Sequence, residues 1–179
     1  AVINAILDGR DILAVMPTGA GKSLCYQVPA MLLSGITLVI SPLISLMQDQ
    51  VKALNEAGVN AAFINSSLSE KELNDTFKNA YKRHYKIIYV APKRLMSEGF
   101  ISFAKSVEIS MVTVDEAHCI SQWGQDFRPS YMDIAEFINI LDKRPIISAF
   151  TATATQNVRE DIICSLGLTN PYFLVTGFD

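Results

Sequence analysis

The chain has 179 residues, half of them hydrophobic and 18% charged, which suits one domain with a sizeable core and excludes a disordered chain. Its 15 basic and 18 acidic residues leave a net charge of −3, which excludes a histone-like basic coat but not a locally basic groove for nucleic acid. Cys25, Cys119 and Cys164 contain no CxxC pair, which argues against a disulfide framework or a zinc site built from this chain alone, and no apolar run nears the ~18 residues of a membrane span.

Apolar runs then alternate with helix-period segments along the chain. The runs are Ile12–Met16, Ile36–Ile40, Ala61–Ile64, Ile87–Ala91, Met111–Val114, Ile146–Phe150 and Tyr172–Val175. Short, β-branched and unbroken, they read as strands buried on both faces of a parallel sheet. Between them, Leu43, Leu46, Met47, Val51 and Leu54 share one helical face, with Gly58 as the stop. Ser69-Glu70-Lys71-Glu72 fits a capping box, Ser130 is placed to cap a helix carrying Ile134, Phe137, Ile138 and Leu141, and Gly167 ends the helix after Thr155. Alternating strands and helices predict an α/β fold with helices on both sheet faces. The composition points to a reduced, soluble, intracellular domain, and so to the cytoplasm.

Nearly every strand ends in small, polar or proline residues: Pro17-Thr18-Gly19, Ser41-Pro42, Ala91-Pro92, Asp115-Glu116 and Thr151-Ala152-Thr153. In a parallel sheet these ends share one edge, where such folds bind ligands. Met16-Pro17-Thr18-Gly19-Ala20-Gly21-Lys22-Ser23 lies between a predicted strand and a predicted helix. Its glycines let successive N–H groups converge on one anion, and the helix adds its positive end. Thr18, Gly19, Ala20, Gly21, Lys22 and Ser23 are thus candidates to bind ATP, Lys22 reaching the outer phosphates and Ser23 a Mg²⁺ ion. Met16 stands at the position of the first glycine in the strict phosphate-loop pattern. Cys25 and Tyr26 read as packing residues.

The run Ile109-Ser110-Met111-Val112-Thr113-Val114 delivers Asp115-Glu116-Ala117-His118. A carboxylate at a buried strand end can hold the Mg²⁺ water shell, which suits Asp115, and its neighbour Glu116 suits the general base for an attacking water. His118 reads either as a structural histidine or as a link between the nucleotide and motion elsewhere.

These residues resemble a known family. Met16–Ser23, Asp115–His118 and Thr151-Ala152-Thr153-Ala154 look like superfamily 2 helicases. The stretches MPTGAGKSLCYQVPA, SPLISLMQDQV and DEAHCISQWGQDFRPSY resemble the RecQ family of DNA helicases. The likeness runs nearly the whole length but covers only the first of two motor domains. It implies a P-loop NTPase fold, a RecA-like three-layer α/β/α sandwich with a mostly parallel sheet, as a single domain over residues 1–179. It also implies an ATP-driven 3′→5′ motor on single-stranded or partly duplex DNA, serving repair and recombination, with a second RecA-like domain in the same polypeptide.

By that resemblance Lys22, Asp115, Glu116 and His118 belong to the catalytic set, and Ser23 and Asp115 hold Mg²⁺. Thr151 and Thr153 couple hydrolysis to strand separation. Ser121–Pro129 matches an aromatic-rich loop whose Trp123, Phe127 and Arg128 would sense single-stranded DNA. Aromatic faces stack on any base and arginine adds phosphate contact, although Trp123 and Phe127 also suit core aromatics under a loop. Gln125 and Lys93 depart from the family pattern, which usually has histidine and glutamate there.

Ser41 and Pro42 open a predicted helix whose N-terminus suits a DNA phosphate or ordinary capping equally. Lys78, Lys82, Arg83 and Lys86 read as a solvated helix end. An RNA-directed helicase and a nucleotide-gated binding module that does not unwind are the competing readings. Without a second domain's arginine, the chain alone is expected to bind Mg-ATP weakly and hydrolyse it poorly.

Overall fold

The computed structural model describes residues 1–17 and 21–177, so the expectations for Thr18, Gly19 and Ala20 lie outside the described residues. All seven predicted strands form: β1 (Ile12–Val15), β2 (Ile36–Ile40), β3 (Ala61–Ile64), β4 (Ile87–Val90), β5 (Ile109–Val114), β6 (Ile146–Thr151) and β7 (Tyr172–Val175). They make one sheet in the order β3-β4-β2-β5-β6-β1-β7. Every pairing is parallel, so all strand ends carrying candidate residues fall on one edge.

Alternate residues of each strand point to opposite faces, and both faces are covered. On one, α1 (Val2–Leu7), α2 (Lys22–Leu32) and α3 (Ile44–Glu56) pack through Ile6, Tyr26, Ala30, Met47 and Val51 onto Ala14, Val39, Tyr89, Met111 and Phe150. On the other are α4 (Glu70–Tyr81), α5 (Glu98–Ser106), α6 (Asp133–Ile140) and α7 (Gln156–Leu166). They bring Ala80, Phe100, Phe103, Phe137 and Ile162 against Leu13, Leu38, Val90, Val112 and Ala149. This is a three-layer α/β/α sandwich with an all-parallel sheet, and its two-sided burial is why the inner strands read as unbroken apolar runs.

Local hydrogen bonds account for several helix ends. The Glu72 N–H donates to Ser69 Oγ (3.1 Å) and the Ser69 N–H to Glu72 Oε1 (3.2 Å), the predicted capping box of α4. Thr155 Oγ1 accepts from the Val158 N–H at the start of α7, and Gly58 and Gly167 follow α3 and α7 with φ of 87° and 65°.

Two caps differ from expectation. Ser130 lies inside a short 3₁₀ turn, Pro129–Met132, and α6 starts after it with no side-chain cap. Likewise α3 begins at Ile44 rather than Pro42: Leu43 is its N-cap, and Ser41 Oγ accepts only a long 3.4 Å bond from the Leu43 N–H. A third difference concerns β7, an edge strand whose Phe173 and Val175 are exposed rather than buried on both faces. Among the described residues no helix is long and apolar enough to cross a membrane.

Candidate functional site

The site follows from the order of the inner strands. The Asp115 N–H donates to Ile40 O and the Met16 N–H to Thr151 O, both at 2.9 Å. These bonds join the ends of β5 to β2 and of β1 to β6, and the β5–β6 pairing sets all four side by side. Gly21 sits at φ 77°, a left-handed conformation that costs glycine nothing, and turns the chain into α2. Having no side chain, Gly21 cannot cap α2, and the first turn holds no acidic residue. The positive end of an 11-residue helix is therefore presented to an anion.

Lys22, first in that helix, reaches across to the acidic strand end. Its Nζ lies 2.9 Å from Asp115 Oδ1 and 3.7 Å from Glu116 Oε1. Asp115 is buried, its Oδ1 also accepts from the Glu116 N–H (2.9 Å), and its carbonyl accepts from the Tyr131 hydroxyl (2.7 Å). Glu116 has φ 51°. One of its carboxylate oxygens lies toward Lys22, and the other is 3.5 Å from His118 Nδ1. Lys22, Ser23, Ser41, Gln50, Asp115 and Glu116 line a common cavity of about 430 Å³. One ammonium, a hydroxyl, two carboxylates and a helix N-terminus are the donor set that a polyphosphate with a divalent cation requires.

A polar network underlies this cavity. The Tyr26 and Tyr89 hydroxyls are 3.0 Å apart, and Gln27 Nε2 donates to Tyr89 Oη and Gln50 Oε1, both at 3.0 Å. Burial raises both phenols above their ordinary pKa, so they act as fixed neutral hydrogen-bonding groups. Tyr26 packs edge-on against Phe150, the packing role its position suggested. The roles of Gln27, Gln50 and Tyr89 were not legible in the sequence, because their partners come from α2, α3 and β4.

From Glu116 the contacts continue away from the cavity. His118, in a 3₁₀ turn over Ala117–Ile120, has Nδ1 2.7 Å from Thr151 Oγ1. Thr151 Oγ1 spends its only hydrogen on Thr153 O (3.0 Å). It therefore accepts from His118 Nδ1–H, which leaves Nε2 of the neutral ring as a lone pair. That nitrogen faces Asp126 Oδ2 at 4.0 Å, and Arg128 Nη2 approaches the same oxygen at 3.6 Å. His118, Trp123, Asp126 and Thr153 line a second cavity of about 490 Å³. The loop is anchored by the Trp123 N–H to Ser121 Oγ (3.2 Å) and by the Ser121 hydroxyl to Asp161 Oδ2 (2.6 Å) on α7.

Lys22, Asp115, Glu116, His118, Thr151 and Thr153 thus form one continuous chain of contacts, with Ser23 beside it. Trp123 is 73% exposed, so it is no core aromatic, whereas Phe127 is half-buried. Ser41 is buried against the 430 Å³ cavity. Pro42 joins Lys93, Arg94, Arg128 and Ser130 around a third cavity of about 220 Å³ on the same sheet edge. Arg128 Nε is buried there without a hydrogen-bond partner among the described residues. The four-residue basic group does not stay together as a helix end. Lys78 is in the last turn of α4, Arg83 has φ 58° beyond it, and Lys86 donates to Leu33 O at 2.6 Å.

Residues 1–161 match the model of the DEAD/DEAH box helicase family. The chain belongs to that family. Within it the likeness is to RecQ proteins. The chain is 50% identical over 177 residues to the ATP-dependent DNA helicase RecQ of Bacillus subtilis, covering 98% of this chain and 30% of that protein. It is 44% identical over 178 residues to RecQ of Haemophilus influenzae, covering 99% and 29%. It therefore spans about 30% of the length of these relatives. Among solved structures, the Pyrococcus furiosus Hef helicase domain superposes with a TM-score of 0.74 at 20% identity, over 97% of this chain and 37% of that one. The DNA-bound MrfA helicase superposes with 0.77 at 20% identity, over 98% and 26%. These likenesses extend the RecA-like fold of helicases to this chain.

Proposed function

We propose that this chain is the nucleotide-binding half of a 3′→5′ DNA helicase motor, working with a second RecA-like domain of the same polypeptide in DNA repair and recombination. The observation that carries the reading is the unbroken run of contacts from Lys22 through Asp115, Glu116 and His118 to Thr151 and Thr153. It links a polyphosphate cradle to the loop that bears an exposed tryptophan. The RecQ relatives, named as ATP-dependent DNA helicases, support it.

In this reading the N-terminus of α2 and Lys22 bind and orient the phosphates of ATP. Ser23 and Asp115 suit a Mg²⁺ ion, whose chemistry is to neutralise charge on the phosphate oxygens. Glu116 accepts the proton of the attacking water. Its other oxygen lies beside His118, so a change of charge at Glu116 alters the hydrogen-bond balance of the His118–Thr151 pair. Trp123 offers a stacking face for a base, and Lys93, Arg94 and Arg128 bring positive charge for phosphates to a cavity of about 220 Å³ on the same edge.

ATP turnover by the longer protein containing this chain, measured alone, with single-stranded DNA and with matched RNA, tests the reading. DNA alone should stimulate turnover strongly. Lys22→Ala should abolish turnover, and Trp123→Ala should leave basal turnover but lose most of the stimulation. Stimulation by RNA and not by DNA would replace DNA as the substrate, and equal stimulation would remove the preference for DNA. Turnover indifferent to both would leave the nucleotide site and remove the motor.

A further inference from the structure

Asp126 lies outside the run of contacts that serves the nucleotide, yet one of its oxygens gathers three groups. Cys119 Sγ is 3.7 Å from Oδ2, His118 Nε2 is 4.0 Å from it, and Arg128 Nη2 is 3.6 Å away. The ligating atoms of His118, Cys119 and Asp126 all lie within 4.8 Å of one another. With Nδ1–H given to Thr151, the neutral form of the ring turns its Nε2 lone pair toward that carboxylate oxygen, and both are ligand atoms for a cation.

We propose that His118 Nε2, Cys119 Sγ and Asp126 form a binding site for a divalent ion of the zinc class. Imidazole nitrogen, thiolate sulfur and carboxylate oxygen are the donors such ions take in tetrahedral array. Bonds of about 2.0–2.3 Å place neighbouring ligands roughly 3.5 Å apart. The 3.7 and 4.0 Å separations from Asp126 Oδ2 need a contraction of about half an ångström or less, and the His118–Cys119 pair, within 4.8 Å, closes by about 1 Å at most. Thr151 holds the far nitrogen of the ring, the outer-shell support that histidine ligands have in metal sites.

His118 and Asp126 line the 490 Å³ cavity together with Gln125 and Thr153, and it has room for a water ligand, while Cys119 is buried. On binding, the Cys119 S–H bond breaks, its proton passes to solvent, and a sulfur–metal bond forms. The thiolate and the Asp126 carboxylate then balance the two charges of the ion. The lack of a CxxC pair does not exclude such a site, because CxxC spacing is only one way to assemble ligands. Here a 3₁₀ turn supplies two donors, and the loop folds back to supply the third.

The ion would join the Ala117–Ile120 turn to the loop that carries Trp123 and would compete with Arg128 for Asp126. Magnesium, which prefers an all-oxygen shell, would not replace it. The site goes beyond the helicase reading, and its test needs neither ATP nor DNA. Cobalt(II) serves as the probe, because a cobalt–thiolate bond gives a charge-transfer absorption band. Trp123, the only tryptophan, reports the loop by fluorescence.

One equivalent of cobalt should produce the band and change Trp123 fluorescence, zinc should reverse the band, and excess magnesium should not. Cys119→Ser should abolish the band. Asp126→Asn, at an exposed position where folding is spared, should weaken binding at least about tenfold. Cys164→Ser, on the exposed side of α7, should change nothing. No band, a band lost with Cys164 or Cys25 instead, or full affinity in Asp126→Asn would overturn the site.

Discussion

Glu116 shows how closely one residue can combine chemistry with strain. Its φ of 51° is left-handed, a region that costs a non-glycine residue about 1 kcal/mol or more. That turn lets its two carboxylate oxygens lie toward Lys22 and His118 at once. Glu116→Gly should therefore be more stable than Glu116→Ala by about 1 kcal/mol in urea unfolding. Equal midpoints would remove the strain argument. Glu116→Gln should keep nucleotide binding while turnover in the longer protein falls by about 100-fold or more, the scale of a lost general base. Cys119 is the contrasting residue: burial first, and then the Asp126 charge, push its thiol up to about 12. The thiolate is the nucleophile, so iodoacetamide at pH 8 should label exposed Cys164 and spare Cys119 until the fold opens. Mass spectrometry of the labelled peptides reads the difference. Asp115 and Glu116 were legible because their chemistry is adjacent in sequence. The Cys119–Asp126 contact was not, because no local periodicity joins a 3₁₀ turn to a loop.

At the scale of elements, a segment was legible where its bonds are local and misread where they are not. The α4 capping box closes within four residues and stands as predicted. Ser130 and Ser41 are of the type that caps helices, and Pro42 suits a first helical position, but Ser130 lies in a 3₁₀ turn and α3 is entered through the extended Leu43. β7 shares the apolar composition of the inner strands, yet it pairs only with β1 and leaves two side chains exposed. Composition reports strand propensity, not position in the sheet. A further element-joining contact escaped the sequence entirely. Asp11, just before β1, accepts from Arg144 Nη1 and Nη2 (3.1 and 2.6 Å) and from the N–H groups of Ile147 (3.1 Å) and Thr169 (2.8 Å). One carboxylate ties the start of β1 to β6 and to the turn after α7. Asp11→Ala should cost about 3 kcal/mol, since it strands two backbone donors and a guanidinium. Arg144→Ala should cost about 1 kcal/mol, because that side chain is 44% exposed. Denaturant midpoints should rank the two in that order, and the reverse order would show that the arginine, not the carboxylate, is the hub.

For the whole molecule, the sheet order decides what meets what. The alternation of strands and helices predicted a parallel sheet with its ligand edge, but not that β2, β5, β6 and β1 would be neighbours. That order depends on long-range packing of two helical layers and alone brings Lys22 to Asp115 and His118 to Thr151. It also fixes what this sheet edge can supply to a phosphoryl transfer. Among the described residues lining the cavity proposed to hold the nucleotide, Lys22 is the one cation. A transferring γ-phosphoryl group carries charge on three oxygens and gains most from preorganised positive groups on more than one side. A second positive group held against the open side, as an arginine finger is, contributes about 10³–10⁵ in rate. Single-turnover hydrolysis of bound ATP by this chain should therefore be at least about a thousandfold slower than by the longer protein at saturating DNA. The deficit should lie in the chemical step, with Lys22→Ala lowering nucleotide binding in both. Comparable rates would mean that one lysine and one helix N-terminus suffice, and the proposed second domain would then serve movement rather than catalysis.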